Sequence, residues 1–234
     1  MAWREAEREA MNPSTLHVNF IETLSLIMVI TSVAAVEMRR LKLSAVAYLC
    51  QALLMVGLLL AFATMNPALY WWAGTAVVTK VVLTPWFLFR FLRGRDDREL
   101  KPVIGLGPSV VFACLLMLGF YQLTHGQVTL LAPTEMARLG VFRTNLAVAS
   151  TVFALGLYAV LTRRDAFKTV IGLCLLENAV HLSLVSLAPE LPETAVFGVA
   201  TEVVVTVFLL LYVIGGVRQE FGTTDTFQLR ELRR

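Results

Sequence analysis

The side chains with chemistry to offer are stranded in apolar surroundings. Lys80, Glu177 and Glu202 each lie inside an apolar stretch, where a charge costs about 2.5–3.5 kcal/mol on insertion scales. Around Glu177 the spacing says more. Cys174, Glu177, Asn178 and His181 recur at three and four residues, so a helix presents them on one face. A carboxylate one turn from an imidazole can pass it a proton directly or through one water. The chemistry this suggests is proton hand-off in the middle of a membrane. Glu177 and Glu202 are the relay carboxylates, His181 and Lys80 neighbouring stations, and Asn178 and Cys174 supporting residues. Each residue also has a plainer reading. Asn178 and His181 suit interhelical hydrogen bonding, and Lys80 suits neutralising a glutamate.

Depth supports the first reading. Counted from the outer end of its span, Lys80 is about 12 residues deep, Glu177 about 11 and Glu202 about 8, or roughly 18, 16 and 12 Å at helical rise. Groups at one depth form a lateral row when their helices are neighbours. Glu22, Glu37, Asn19 and Arg143 lie within a turn or two of span ends, where snorkelling suffices.

The elements that must hold these groups are transmembrane helices. Hydrophobic residues make up 57% of the 234, charged residues only 16%, and mean hydropathy is +0.71, which excludes an ordinary soluble domain. Continuous apolar runs predict seven spans at about 16–37, 43–65, 68–92, 103–123, 141–162, 167–188 and 194–217, each long enough to cross about 30 Å of hydrocarbon. Continuous runs favour helices over the alternating strands of a barrel. The fold class is therefore all-α, a polytopic membrane protein of about seven transmembrane helices. The first run is read as a span and not a cleaved signal, although Ser32-Val33-Ala34 is small-x-small, because it is longer than the usual h-region. Tyr70, Trp71 and Trp72 read as an interfacial belt. Pro85 should loosen the inner half of the third span, and Gly105, Gly107 and Pro108 the start of the fourth.

Charge sets the expected orientation. Of the 20 Lys and Arg, 15 fall after spans one, three, five and seven, four fall on the other side, and Lys80 lies inside a span. The positive-inside rule then puts the N-terminus outside and the C-terminus in the cytoplasm. The net charge of +3 comes with no basic stripe interleaved with aromatics, so no nucleic acid is expected as a partner. Cys50, Cys114 and Cys174 stand alone in apolar segments with no C-x-x-C pair, which speaks against an iron–sulfur or zinc site, and no cofactor or metal is expected. The last span holds no Lys, which argues against a retinal-type photoprotein.

One resemblance is carried by Gly172-Leu173-Cys174-Leu175-Leu176-Glu177-Asn178-Ala179, Glu202 and the tail Asp225-Thr226-Phe227-Gln228-Leu229-Arg230-Glu231-Leu232. Together they resemble the family of E-type membrane subunits of hydrogenase-4. The last three spans of that family are similar to subunit K of respiratory complex I and to the C-type subunit of multi-subunit cation/proton antiporters. Glu202 matches the last-helix glutamate of that family. The subunit K pattern places its other glutamate directly after Gly-Leu, where this chain has Cys174, with Glu177 one turn on. The resemblance implies a non-redox, non-catalytic membrane subunit of a hydrogenase-4 or formate hydrogenlyase-like, complex I-related assembly in a bacterial or archaeal cell membrane. It implies antiporter-like and other membrane subunits as partners, with lipid around them. The expected parts are an extracytoplasmic segment 1–15, a four-helix part 16–123, a three-helix subunit K-like part 141–217 and a cytoplasmic tail 218–234. The competing expectation is a scaffold subunit of an antiporter or related complex with no relay role.

Overall fold

The computed structural model describes residues 15–64, 67–94, 97, 105–128, 140–187 and 193–226. The expected outer segment before Thr15 and the end of the tail after Thr226 lie outside the described residues. Among the described residues seven long helices follow one another: α1 Thr15–Glu37, α2 Leu41–Ala63, α3 Leu69–Leu92, α4 Leu106–Gly126, α5 Gly140–Thr162, α6 Ala166–Leu187 and α7 Glu193–Phe221. All seven are long and apolar enough to cross a membrane, each within a few residues of its expected span.

Helix ends are made by the charged connections. Asp97 starts α2, its backbone oxygen accepting from Leu41 N at 2.8 Å and its Oδ1 from Lys42 N at 2.7 Å. Lys168, fully buried at the start of α6, ends α1. Its ammonium donates to the carbonyls of Ala35, Val36 and Met38 at 2.9, 3.0 and 2.6 Å and to Ser44 Oγ at 2.9 Å. A cation on the last carbonyls of a helix meets both their open hydrogen-bonding capacity and the dipole. After α7 the chain folds back. Arg164 grips Asp225 with two hydrogen bonds, 3.2 and 2.7 Å, and Ala166 and Thr226 donate backbone bonds to Thr224 and Arg164.

The third span is not regular. Its middle, Val77–Leu83, is a π-helix, followed by Thr84–Leu92 with Pro85 in the first turn. Pro85 has no N–H for the ladder, and just before it the Thr84 N–H bonds to Thr79 O, five residues back. The loosening expected at Pro85 thus takes the form of a widened turn around Lys80.

Packing is tightest between α5 and α6, where Gly156 and Gly172 bring the backbones into contact. Small residues at such a crossing let helices approach closely where lipid offers no hydrophobic drive. Helix α1 packs on α2 and α5, α2 on α3 and α6, α3 on α7, and α6 on α7, while α4 leans on α5. The expected α6–α7 neighbourhood is thus present. Trp71 and Tyr70 are exposed, as an interfacial belt requires, whereas Trp72 departs from the expectation and turns into the core.

Candidate functional site

Lys80, on the π-helical turn of α3, points into the core and is 1% exposed. Its Nζ lies 2.7 Å from Glu177 Oε1 and donates to Asn178 Oδ1 at 2.6 Å, both on α6. The amides behind Asn178 continue the line. Asn178 Nδ2 donates to Gln51 Oε1 at 2.9 Å, Gln51 Nε2 donates to Ser32 Oγ at 3.1 Å, and Ser32 Oγ donates to the Met28 carbonyl at 2.7 Å. Every link donates away from the Lys80 nitrogen, so the aligned dipoles reinforce one another. Asn178, Gln51 and Ser32 are completely buried. Two amides and a backbone carbonyl do not pass protons on, so this branch is a clamp that ends inside the protein.

The other side of the ion pair is open-ended. Glu177 keeps 16% of its side chain exposed. Apart from the ion contact, neither of its oxygens has a hydrogen-bond partner among the described residues, and neither ring nitrogen of His181 has one. His181 Nδ1 is 3.4 Å from Glu177 Oε1, and the ring is held edge-on to Trp72 at 5.7 Å between centroids. Buried polar atoms are nearly always bonded, and here a carboxylate and an imidazole stand side by side with hydrogen-bonding capacity that the surrounding described side chains do not use. Cys174 and Tyr48 are buried beside the same pair, with Tyr48 also next to Thr84 and Asn178.

The structure therefore joins Lys80, Glu177, Asn178, His181 and Cys174 in one cluster on α3 and α6. Glu202, on α7, is not within it. Its side chain is exposed on the bundle surface, yet near enough to act electrostatically on Glu177. Sequence reasoning missed Gln51, Ser32, Tyr48 and the inward Trp72. A lone Gln in the middle of an apolar 23-residue helix was the available signal, by the same argument that marks Asn178.

A second buried charge pair departs from expectation. Glu37 does not snorkel. It is 8% exposed and paired with Arg163 at 2.5 Å, with Ser109 Oγ donating to its Oε1 at 2.8 Å and Tyr158 OH 2.5 Å from Ser109. This pair ties α1, α4 and α5 together at the end where Lys168 caps α1. Arg143 likewise does more than snorkel, its Nε donating to the His125 carbonyl across the α4–α5 connection.

Residues 144–234 match the NADH-ubiquinone/plastoquinone oxidoreductase chain 4L family. NADH-quinone oxidoreductase subunit K of Deinococcus radiodurans is 35% identical over 92 residues, 38% of this chain and 89% of that protein. The chain belongs to the chain 4L family. The chain 4L part holds α5–α7, and with them Glu177, Asn178, His181 and Glu202, while Lys80 and its π-helical turn lie outside it. Hydrogenase-4 component E of Escherichia coli K12 is 27% identical over 219 residues, 91% of this chain and 97% of that protein. That homology spans the chain 4L part and the preceding spans together. No solved structure matches.

Proposed function

We propose that the chain is a non-redox membrane subunit of a hydrogenase-4-like, complex I-related assembly, and that Glu177 and Glu202 are stations of a mid-membrane proton or cation relay. The observation that carries this reading is the Glu177–His181 pair. Both side chains keep free hydrogen-bonding capacity beside a buried lysine. The homology to hydrogenase-4 component E and to subunit K supports the setting.

The chemistry follows from the two branches. Lys80 is fixed in place by the amide line, so it stands as the resting partner of Glu177. A proton arriving at Glu177 weakens the 2.7 Å contact and frees the carboxyl to turn toward His181 or Glu202. Electrostatic coupling of this kind lets an event in one subunit change proton affinity in the next without any redox group in this chain. Glu202, exposed on α7, is the station that faces a neighbouring subunit of the antiporter-like kind. The N-terminus is outside and the basic end of the bundle cytoplasmic.

The alternative is a scaffold in which the same charges only fix helix geometry. Reversing the pair, Lys80→Glu with Glu177→Lys, separates the two. The relay reading expects a complex that assembles, judged by co-purifying subunits, yet moves no ions. Recovery of both assembly and ion movement would establish the scaffold.

A further inference from the structure

The polar site lies where two parts of the chain meet, and those parts repeat one another. From Ala35 to Leu60, ten of 26 positions are identical to the residues 124 places later. Among them are Arg39-Arg40 with Arg163-Arg164 and Leu49-Cys50 with Leu173-Cys174. The helices keep the same phase. Thr15, Leu41 and Leu69 open α1, α2 and α3, and Gly140, Ala166 and Glu193 open α5, α6 and α7, offsets of 125, 125 and 124. Weak internal similarity at a fixed spacing is how repeats announce themselves in membrane proteins.

The third helices agree in two blocks. Gly74-Thr75-Ala76 matches Gly198-Val199-Ala200, and Thr79-Lys80-Val81-Val82-Leu83-Thr84 matches Thr201-Glu202-Val203-Val204-Val205-Thr206. Between the blocks only Val77 and Val78 are surplus, and they are the first residues of the π-helical turn. A helix absorbs extra residues by widening its ladder locally from four to five, so the irregular turn lies where the alignment needs it.

Packing repeats as well. Helix α1 touches α5, α2 touches α6 and α3 touches α7, so each element rests on its own counterpart. The faces show how. Leu43 and Val46 are exposed on α2, while their matches on α6, Phe167 and Val170, are buried; conversely Val180 is exposed on α6 and its match Val56 is buried. The two units are therefore stacked head to tail, each turning the same face the same way. Three crossings would bring a directly following copy in upside down. The single extra crossing of α4 restores its direction.

We propose that α1–α3 and α5–α7 are tandem copies of one three-helix unit, that Lys80 stands in the first copy where Glu202 stands in the second, and that Glu177 is held between these two equivalent positions. Glu177 touches Lys80 at 2.7 Å and is within electrostatic reach of Glu202. A cation at position 202 therefore replaces one lost at position 80. This equivalence does not depend on whether the chain conducts ions.

The test is charge transfer between the copies in the purified full-length chain, read as melting temperature in detergent or, for a variant too weak to melt cooperatively, as monodisperse yield. Lys80→Gln is expected to lower the reading by leaving Glu177 without its cation. Adding Glu202→Lys recovers at least half of the loss, and adding Thr201→Lys, one residue off the matched position, recovers none. The proposal is overturned if Lys80→Gln causes no loss, if Glu202→Lys gives no recovery, or if Thr201→Lys recovers as much. No ion flux enters the measurement, so its failure is distinct from failure of the relay.

Discussion

The crossing of α5 and α6 can be perturbed by one methyl group. A Cβ on Gly156 would lie 2.9 Å from the Gly172 carbonyl oxygen and 2.9 Å from Leu176 N, and one on Gly172 would lie 3.0 Å from Gly156 O. These neighbours are backbone atoms and cannot swing aside, so Gly156→Ala must push the helices apart by roughly half an ångström to restore ordinary contact distances of about 3.5 Å. Overpacking of this size costs about 1–3 kcal/mol, and the better helix propensity of alanine returns at most about 1 kcal/mol. At about 2–4 °C per kcal/mol for a chain of this length, the melting temperature of the purified chain should fall by several degrees. Leu176 precedes Glu177, so the displacement also reaches the Lys80 contact. Gly119→Ala in α4 is the control, since nothing lies within 4 Å of its Cβ, and it should be neutral or slightly stabilising. An unchanged melting temperature for Gly156→Ala, or equal effects of the two substitutions, would refute the close-contact argument.

Three further outcomes follow from the same geometry. Lys168→Met leaves the Ala35, Val36 and Met38 carbonyls without their donor and should lower membrane yield several-fold, with Lys168→Arg failing to restore it because a planar guanidinium does not fit the ammonium's converging acceptors. Asp225→Ala removes both bonds from a partly exposed Arg164; the chain should melt within about 1 kcal/mol of the parent, while limited proteolysis cuts faster after Phe221. Gln51→Leu and Asn178→Leu each interrupt the amide line and should cost about 1–3 kcal/mol, and the double variant should cost less than the sum because both act on one line. Thermal unfolding of the four chains checks this.

The spans were legible because a bilayer imposes a length and a polarity that no soluble core does, and every one of the seven appears within a few residues of its expected place. The face carrying Cys174, Glu177, Asn178 and His181 was legible for a related reason, since helical spacing fixes which side chains share a side. What the spacing of a single helix does not carry is which other helix stands opposite. The partner of Glu177 turned out to be Lys80, 97 positions earlier, and the support of Asn178 turned out to be Gln51. The widened turn that presents Lys80 had only Pro85 as a cue. Glu37 was misjudged because distance from a span end says nothing about burial. The end of α1 is roofed by Ser109 of α4 and by Arg163, the residue that follows α5.

The central claim is that Glu177 carries charge and does not merely anchor a helix. It is tested most directly by the number of ions moved per electron in closed vesicles, measured on the assembled complex with and without Glu177→Gln. The account predicts full assembly, continued electron transfer and a clear fall in that ratio. An unchanged ratio in a fully assembled Glu177→Gln complex would contradict it.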